Sequence, residues 1–181
     1  EDTFFKVDQI GRSGFSIPYL DGSLSISRAS RTFPQYLIFK PAMIVTSIIL
    51  YYYWINNNKF LNDIRSTNIN YKFKTFGILS AVFLVIHSIF LGIKFDIQIY
   101  KLMRRVVLLL FIIFEIIAQG MLVYHFFKIK KKISNLINKN VLVLKAILVF
   151  ILAIVAILSL PILLDKGNTH FKHALEWNYF V

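Results

Sequence analysis

The stretch "VVLLLFIIFEIIAQGMLVYHFF", Val106–Phe127, decides the fold of this chain. A helix needs about 20 apolar residues to cross the hydrocarbon core of a bilayer, and this run is long enough. Helix is the expected conformation because every unsatisfied backbone group in lipid costs several kcal/mol. The polar side chains inside the run are Glu115, Gln119 and His125. The stretch therefore predicts a membrane-spanning helix that carries a few polar positions.

Three further apolar runs have similar lengths, namely 36–55, 76–93 and 141–164. The 181 residues are 57% hydrophobic and 17% charged, whereas about a quarter of the residues of soluble domains are charged. A soluble domain of this size cannot bury so much apolar surface, but a bilayer can cover it. The sequence predicts an all-α, polytopic transmembrane helix bundle with four complete spans joined in an antiparallel manner by short loops.

The two ends of the chain differ from this pattern. We expect residues 1–34 to form an extended, polar, non-cytoplasmic loop segment and residues 35–181 to form the bundle. The stretch "SLSISR" alternates polar and apolar residues, which is typical of extended structure, and Pro34 precedes the first span. Near residue 174 the stretch "ALEWNYFV" indicates the start of a further helix. We expect the chain to be a fragment of a longer protein; the alternative is a processed protein that ends in a short interfacial helix.

Charge is concentrated beside the spans. The net charge is +12, and ten basic residues lie in or beside the first and third loops, against six beside the opposite loops. By the positive-inside rule, the first and third loops are predicted to be cytoplasmic. This distribution is that of a membrane protein, and no nucleic-acid partner is predicted. The ten residues are Lys59, Arg65, Lys72, Lys74, Lys128, Lys130, Lys131, Lys132, Lys139 and Lys145.

Recognisable catalytic motifs are absent from the sequence. It has no Walker lysine loop, dinucleotide-binding glycine fingerprint, His-Glu-x-x-His motif or nucleophile elbow. It also has no cysteine, which excludes disulfides, thiolate metal sites and cysteine nucleophiles. The sequence therefore favours a non-enzymatic protein with no cofactor and no metal.

His170, His173, Glu176 and Trp177 form a candidate interfacial cluster near the end of the chain. The first three are spaced i, i+3 and i+6, so they share one face if the segment is helical. A wet rim at the membrane interface is the preferred interpretation, and a metal site is the alternative.

Glu115, Gln119 and His87 form a candidate intramembrane polar site. Glu115 lies near the middle of its span, where a charge costs several kcal/mol unless it is paired or neutralised. Gln119 is four residues further on and shares its helical face, while His87 of the preceding span is a candidate partner. Two interpretations remain open: a polar site inside the bundle, or a protonated carboxyl that only hydrogen-bonds a neighbouring helix.

Two further sets of residues are candidates for contacts with lipid or with a partner. Lys130, Lys131 and Lys132 follow the third span, where lysines either attract anionic headgroups or only fix the topology. Ser25, Ser27, Arg28 and Arg31 are candidate loop contacts. Lipid phosphates and the carboxylates of a partner subunit are both natural counter-charges for the two arginines, and solvated arginines that mark topology are the alternative.

Several short stretches resemble a known family. They are Pro18-Tyr19, "SIS" at Ser25–Ser27, Phe33-Pro34 with Phe39 opening a span, and Glu176-Trp177. In these residues the chain resembles the Frag/DRAM/Sfk family of six-span membrane proteins, and is nearest its GPI-lipid-remodelling, post-GPI-attachment branch. The resemblance implies that the family's first helix precedes Glu1. It also implies lipid or GPI-anchor handling in the endomembrane system of the ER and Golgi.

Two functions are therefore expected. The first is a membrane protein that binds lipid or assists lipid or GPI-anchor remodelling. The second is a non-catalytic accessory subunit of a larger membrane complex, for example in the mitochondrial inner membrane or the bacterial plasma membrane. The predicted partners are membrane lipids and other membrane protein subunits.

Overall fold

The structure, a computed structural model, describes Leu20, residues 35–90, 98–134 and 136–164, His170, His173 and Ala174. Four long helices account for most of these residues: α1 (Gln35–Arg65), α2 (Lys72–Phe90), α3 (Gln98–Ile129) and α4 (Lys139–Leu164). The part of the chain that is described contains no strand. Each helix contains a segment that is long and apolar enough to cross a membrane. The predicted fold class is confirmed, and the chain is an integral multi-pass membrane protein.

Helix α1 is longer than the span that the sequence predicts. Its 31 residues measure about 46 Å at 1.5 Å per residue, whereas the hydrocarbon core is about 30 Å thick. The sequence places a loop from Asn56 onward, but the helix continues to Arg65. Leu61 explains the difference, because this side chain is fully buried in the core and holds the polar end of the helix against the bundle.

Asparagines of α1 organise the loop that follows. The Asn62 side chain donates to the Ile69 carbonyl at 3.0 Å and accepts from the Ile69 N–H at 3.2 Å. Asn58 is buried, and its side-chain oxygen accepts from the Tyr71 N–H at 3.0 Å. Ser66, with a φ of 51°, turns the chain out of the helix in the left-handed conformation that commonly ends helices. These side-chain hydrogen bonds satisfy backbone N–H and C=O groups of the loop at Ile69 and Tyr71.

The core lies toward the end of the bundle that carries the loops at 66–71 and 130–138. We call this the basic end, since all ten basic residues beside those loops belong to it. Trp54, Phe73 and Leu122, from three different helices, are fully buried and belong to one cluster. Trp54 lies against Gly77 of α2 so closely that a Cβ at that position would overlap the indole ring. The missing side chain of Gly77 therefore lets α1 and α2 approach each other.

Helix α4 is the least covered of the four. Only 6% of the residues in its candidate span, Lys139–Leu158, are buried. Its approach to α3 is close near Gly120, where an added Cβ would lie 3.9 Å from Val149 Cγ1. The remaining apolar surface of α4 is available to lipid acyl chains or to another membrane protein.

The predicted end segments lie largely outside the described residues. Within 1–34 the structure describes Leu20, which is helical and exposed, so the extended conformation predicted for that segment stays a prediction. Beyond α4, the described residues His170, His173 and Ala174 are helical. The start of a further helix near residue 174 otherwise falls outside the described part of the chain.

Candidate functional site

Glu115 is hydrogen-bonded within the bundle at both carboxyl oxygens. Its Oε2 lies 2.6 Å from the Ser80 hydroxyl of α2, and its Oε1 accepts from Gln119 Nε2 at 2.8 Å. Ser80 is fully buried. Both carboxyl oxygens of Glu115 thus have protein partners, one on α2 and one on α3. Whether this group also binds a ligand stays a prediction.

The Ser80 hydroxyl lies within hydrogen-bond distance of two acceptors. It is 2.8 Å from the Gly77 carbonyl oxygen and 2.6 Å from the Glu115 carboxyl. A hydroxyl carries a single hydrogen, so this hydrogen is shared between the two acceptors. The contact with Glu115 joins α2 to α3.

His87 does not join this pair. It is buried on α2, about two turns beyond Ser80, and Arg104 of α3 lies beside it. Its Nδ1 has no hydrogen-bond partner among the described residues. The structure thus brings Glu115 and Gln119 together with Ser80 and places His87 at a separate level with Arg104. Ser80 was not predicted as part of the site because a lone serine in an apolar run is common in packed transmembrane helices.

The basic end carries many more basic than acidic residues. Asp63 is the acidic residue in or beside its two loops, against the ten basic ones. Lys74 donates to the Asn70 side chain at 3.0 Å. Arg65 lies over the ring of Tyr71, 5.7 Å from its centroid. Every contact that the structure gives these cations within its described residues is with a neutral group.

Lys130, Lys131 and Lys132 occupy an ordered turn at this end. All three are exposed, while the isoleucines on either side, Ile129 and Ile133, are buried in the core. The turn is held by a bond of 2.8 Å from the Lys132 N–H to the Ile129 carbonyl. The three ammonium groups therefore project from a fixed backbone, and the lipid contact expected of them stays a prediction.

Lys145 of α4 forms a contact that sequence reasoning did not anticipate. Its Nζ donates to the Tyr53 hydroxyl of α1 at 2.8 Å and lies 5.5 Å from the centroid of the same ring. Tyr53 lies in the aromatic stretch Tyr51–Trp54, a composition typical of the membrane interface. The two residues are 92 positions apart, and no local signal in the sequence reports such a pairing.

The candidate loop contacts and part of the candidate interfacial cluster lie outside the described part of the chain. Ser25, Ser27, Arg28, Arg31, Glu176 and Trp177 lie outside the described residues. His170 is exposed and His173 is half-buried. Within the described ranges, no three His, Cys, Asp or Glu side chains are grouped so that they could hold a metal ion.

Comparisons with known proteins give no relative. No protein-family model matches the chain, and no curated protein and no solved structure matches it.

Proposed function

We propose that this multi-pass membrane protein binds anionic membrane lipids at its basic end. The observation that carries the proposal is the charge of that end, where ten basic residues stand against Asp63 and their described contacts are with neutral groups. Each lysine or arginine near an anionic membrane surface contributes about 1 kcal/mol of attraction. Lipid phosphates supply the counter-charge that the described part of the protein lacks.

The turn at Lys130–Lys132 is the part of this surface best suited to headgroups. Its backbone is fixed by the buried side chains of Ile129 and Ile133, so little ordering is needed when a lipid binds. Leu136, further along the same loop, is 67% exposed. An apolar side chain beside three lysines is suited to the boundary between headgroups and acyl chains.

The test replaces the three charged side chains of the turn by neutral ones and leaves the number of residues in the turn unchanged. The triple variant K130Q/K131Q/K132Q and its matched control K130R/K131R/K132R are placed in nanodiscs of phosphatidylcholine with a minor fraction of phosphatidylserine. Lipids retained by the protein are identified by native mass spectrometry. The glutamine variant should lose preference for phosphatidylserine, by up to about a hundredfold at roughly 1 kcal/mol per lysine. The arginine variant should keep that preference.

Equal phosphatidylserine retention by both variants would contradict the proposal. The lysines would then serve only to fix topology. Because the chain has no cysteine, a Ser134→Cys substitution reports the side of the membrane on which this loop lies. The reporter is added to all variants, so a change of orientation is separated from a loss of lipid binding.

A finer proposal follows from the sequence resemblance to the Frag/DRAM/Sfk family. It is that the bound lipid is handled during remodelling of GPI anchors in the endomembrane system. Support comes from the short matches at Pro18-Tyr19, Ser25–Ser27 and Glu176-Trp177. Deletion of the chain in its own cell should change the fatty-acid composition of a GPI-anchored reporter. Unaltered anchors would reject this finer proposal and leave the lipid-binding proposal standing.

A second candidate function is that of an accessory subunit in a larger membrane complex. The exposure of α4, with 6% of its candidate span buried, favours it because a neighbouring transmembrane helix could cover this surface. Extraction in a mild detergent should then recover other membrane proteins in fixed stoichiometry. Recovery of the chain alone, with lipid bound, would count against the subunit function.

A further inference from the structure

The contact between Lys145 and Tyr53 places a cation at the edge of the membrane. Lys145 lies six residues after Lys139, the first residue of α4, which is about 9 Å along the helix axis. Tyr53 follows Tyr51 and Tyr52 of α1, whose side chains are exposed, and exposed tyrosines near the end of a span lie at headgroup level. The pair therefore joins α1 and α4 near the boundary between acyl chains and headgroups.

The pair has hydrogen-bond donors left over and no acidic partner among the described residues. An ammonium group has three donors, and the structure assigns one of them to the Tyr53 oxygen. Because that oxygen accepts from Lys145, the phenolic hydrogen is free to donate elsewhere. Neither of the two acidic residues in the described part of the chain supplies the missing acceptor. Glu115 is bonded to Ser80 and Gln119, and Asp63 lies ten residues beyond Tyr53 on α1, about 15 Å along the axis.

The geometry points to a binding site for the phosphate of an anionic lipid, formed by Lys145 and Tyr53 between α1 and α4. A phosphate supplies the negative charge and the acceptor oxygens that this set of donors lacks. The aromatic belt places those oxygens at the right depth. The inference rests on the proposed function for the class of ligand, and Lys145 is one of the ten residues of the basic end, but neither Lys145 nor Tyr53 belongs to the lysine turn at Lys130–Lys132.

The alternative to a phosphate site is that the Lys145 side chain only extends to the membrane surface, which requires no tyrosine. Long basic side chains near helix ends reach the interface by themselves. The phosphate site differs in one respect, which is that the Tyr53 hydroxyl donates to the ligand. Removal of the Tyr53 hydroxyl therefore distinguishes a phosphate site formed by both residues from a lysine that reaches the interface alone.

The experiment compares two lysine–tyrosine pairs of the same chain. Y53F and K145M remove the hydroxyl and the charge of the proposed site. Y124F is the matched control, because Lys128 lies 4.6 Å from the ring centroid of Tyr124 at the same end of the bundle. Competition by phosphatidic acid against a spin-labelled analogue in phosphatidylcholine nanodiscs measures the affinity. Y53F and K145M should each weaken binding by about tenfold, as expected for a hydrogen bond to a charged group. Y124F should leave it unchanged.

The inference is overturned if Y53F binds phosphatidic acid as the unmodified chain does, or if Y124F weakens binding equally. Y53F retains the ring and the charge, so loss of folding does not explain its result, and circular dichroism checks this. Inorganic phosphate is added to a parallel sample to test for a soluble ligand. If it displaces the labelled lipid at equal concentration, the site takes free phosphate and the lipid assignment is wrong.

The same assay separates this site from the lysine turn. If Y53F weakens binding and K130Q/K131Q/K132Q does not, the Lys145–Tyr53 site stands and the turn is not a lipid site. If the triple variant weakens binding and Y53F does not, the proposed function stands and the present inference fails.

Discussion

Replacing Gly77 by alanine should destabilise the bundle because the added methyl group has no room. A Cβ at this position would overlap three ring atoms of Trp54, namely Cγ, Cδ2 and Cε2. Trp54 is fully buried, and the ring centroids of Tyr53 and Phe73 lie 5.0 Å and 6.0 Å from that of Trp54. The indole therefore has little space into which to move, and α1 must shift away from α2.

The expected magnitude follows from two opposing effects. Alanine is more favourable than glycine in a helix interior by about 1 kcal/mol. Overpacking a well-filled core costs about 1–3 kcal/mol. The cost at Gly77 is expected at the upper end of this range because the added methyl group meets a rigid ring. The net destabilisation is about 2 kcal/mol. The control is Gly120→Ala on α3, where the nearest neighbouring atom, Val149 Cγ1, would be at an ordinary 3.9 Å, so only the helix-propensity gain remains.

Stability is measured as loss of helical circular dichroism when sodium dodecyl sulfate is titrated into protein in mixed micelles. The two alanine variants should differ by about 3 kcal/mol, with G120A the more stable. Replacing Trp54 by alanine in the G77A background removes the overlapping atoms. The free energies of the two substitutions should then be non-additive by at least about 1 kcal/mol.

Equal stability of G77A and G120A would refute this account of the α1–α2 contact. Strict additivity of W54A and G77A would refute it as well, because residues that do not touch have independent effects.

Two further predictions concern buried hydrogen bonds. Glu115→Gln should change stability little, since an amide can also bond Ser80, whereas Glu115→Leu should cost about 1 kcal/mol as an interhelical bond in a membrane typically does; equal losses in the detergent titration would contradict this. Asn58→Ala should cost about 1–3 kcal/mol because it strands the buried Tyr71 N–H, while Asn56→Ala at an exposed position should be neutral. Faster proteolysis of the 66–71 loop in the Asn58 variant alone would confirm the role of that bond.

The four helices are predictable from the sequence because a helix that crosses lipid requires a long, nearly continuous run of apolar residues. Apolar runs such as Val106–Phe127 must be helical to satisfy their backbone, and the structure has long helices at all four positions. The end of α1 was not predictable in the same way. Asn56–Arg65 is polar and looks like a loop, and its helical conformation depends on burial of Leu61 and on side-chain bonds of Asn58 and Asn62.

The polar contacts were only partly predictable. Glu115 is conspicuous in the sequence because a carboxyl in hydrocarbon needs a partner, and Gln119 follows from helical spacing alone. Ser80 is 35 residues away and Tyr53 is 92 residues from Lys145. Such pairs depend on how the helices are arranged around each other, which hydropathy does not report. The same limit explains why His87 was grouped with Glu115 although it lies beside Arg104.

The two interhelical polar contacts, Glu115–Ser80 and Lys145–Tyr53, differ in the hydrogen-bonding groups that they leave without a partner among the described residues. This difference distinguishes a structural contact from a candidate binding site. Helices in lipid gain little from the hydrophobic effect when they associate, so close packing and interhelical hydrogen bonds must hold them together. Glu115 has a partner at each oxygen, one of them across α2 and α3, which is what a structural bond requires. Lys145 also joins two helices, but its ammonium and the Tyr53 hydroxyl retain donors with no acidic partner in the described part of the chain. An anion is needed to complete that contact, and at headgroup level the abundant anion is a lipid phosphate.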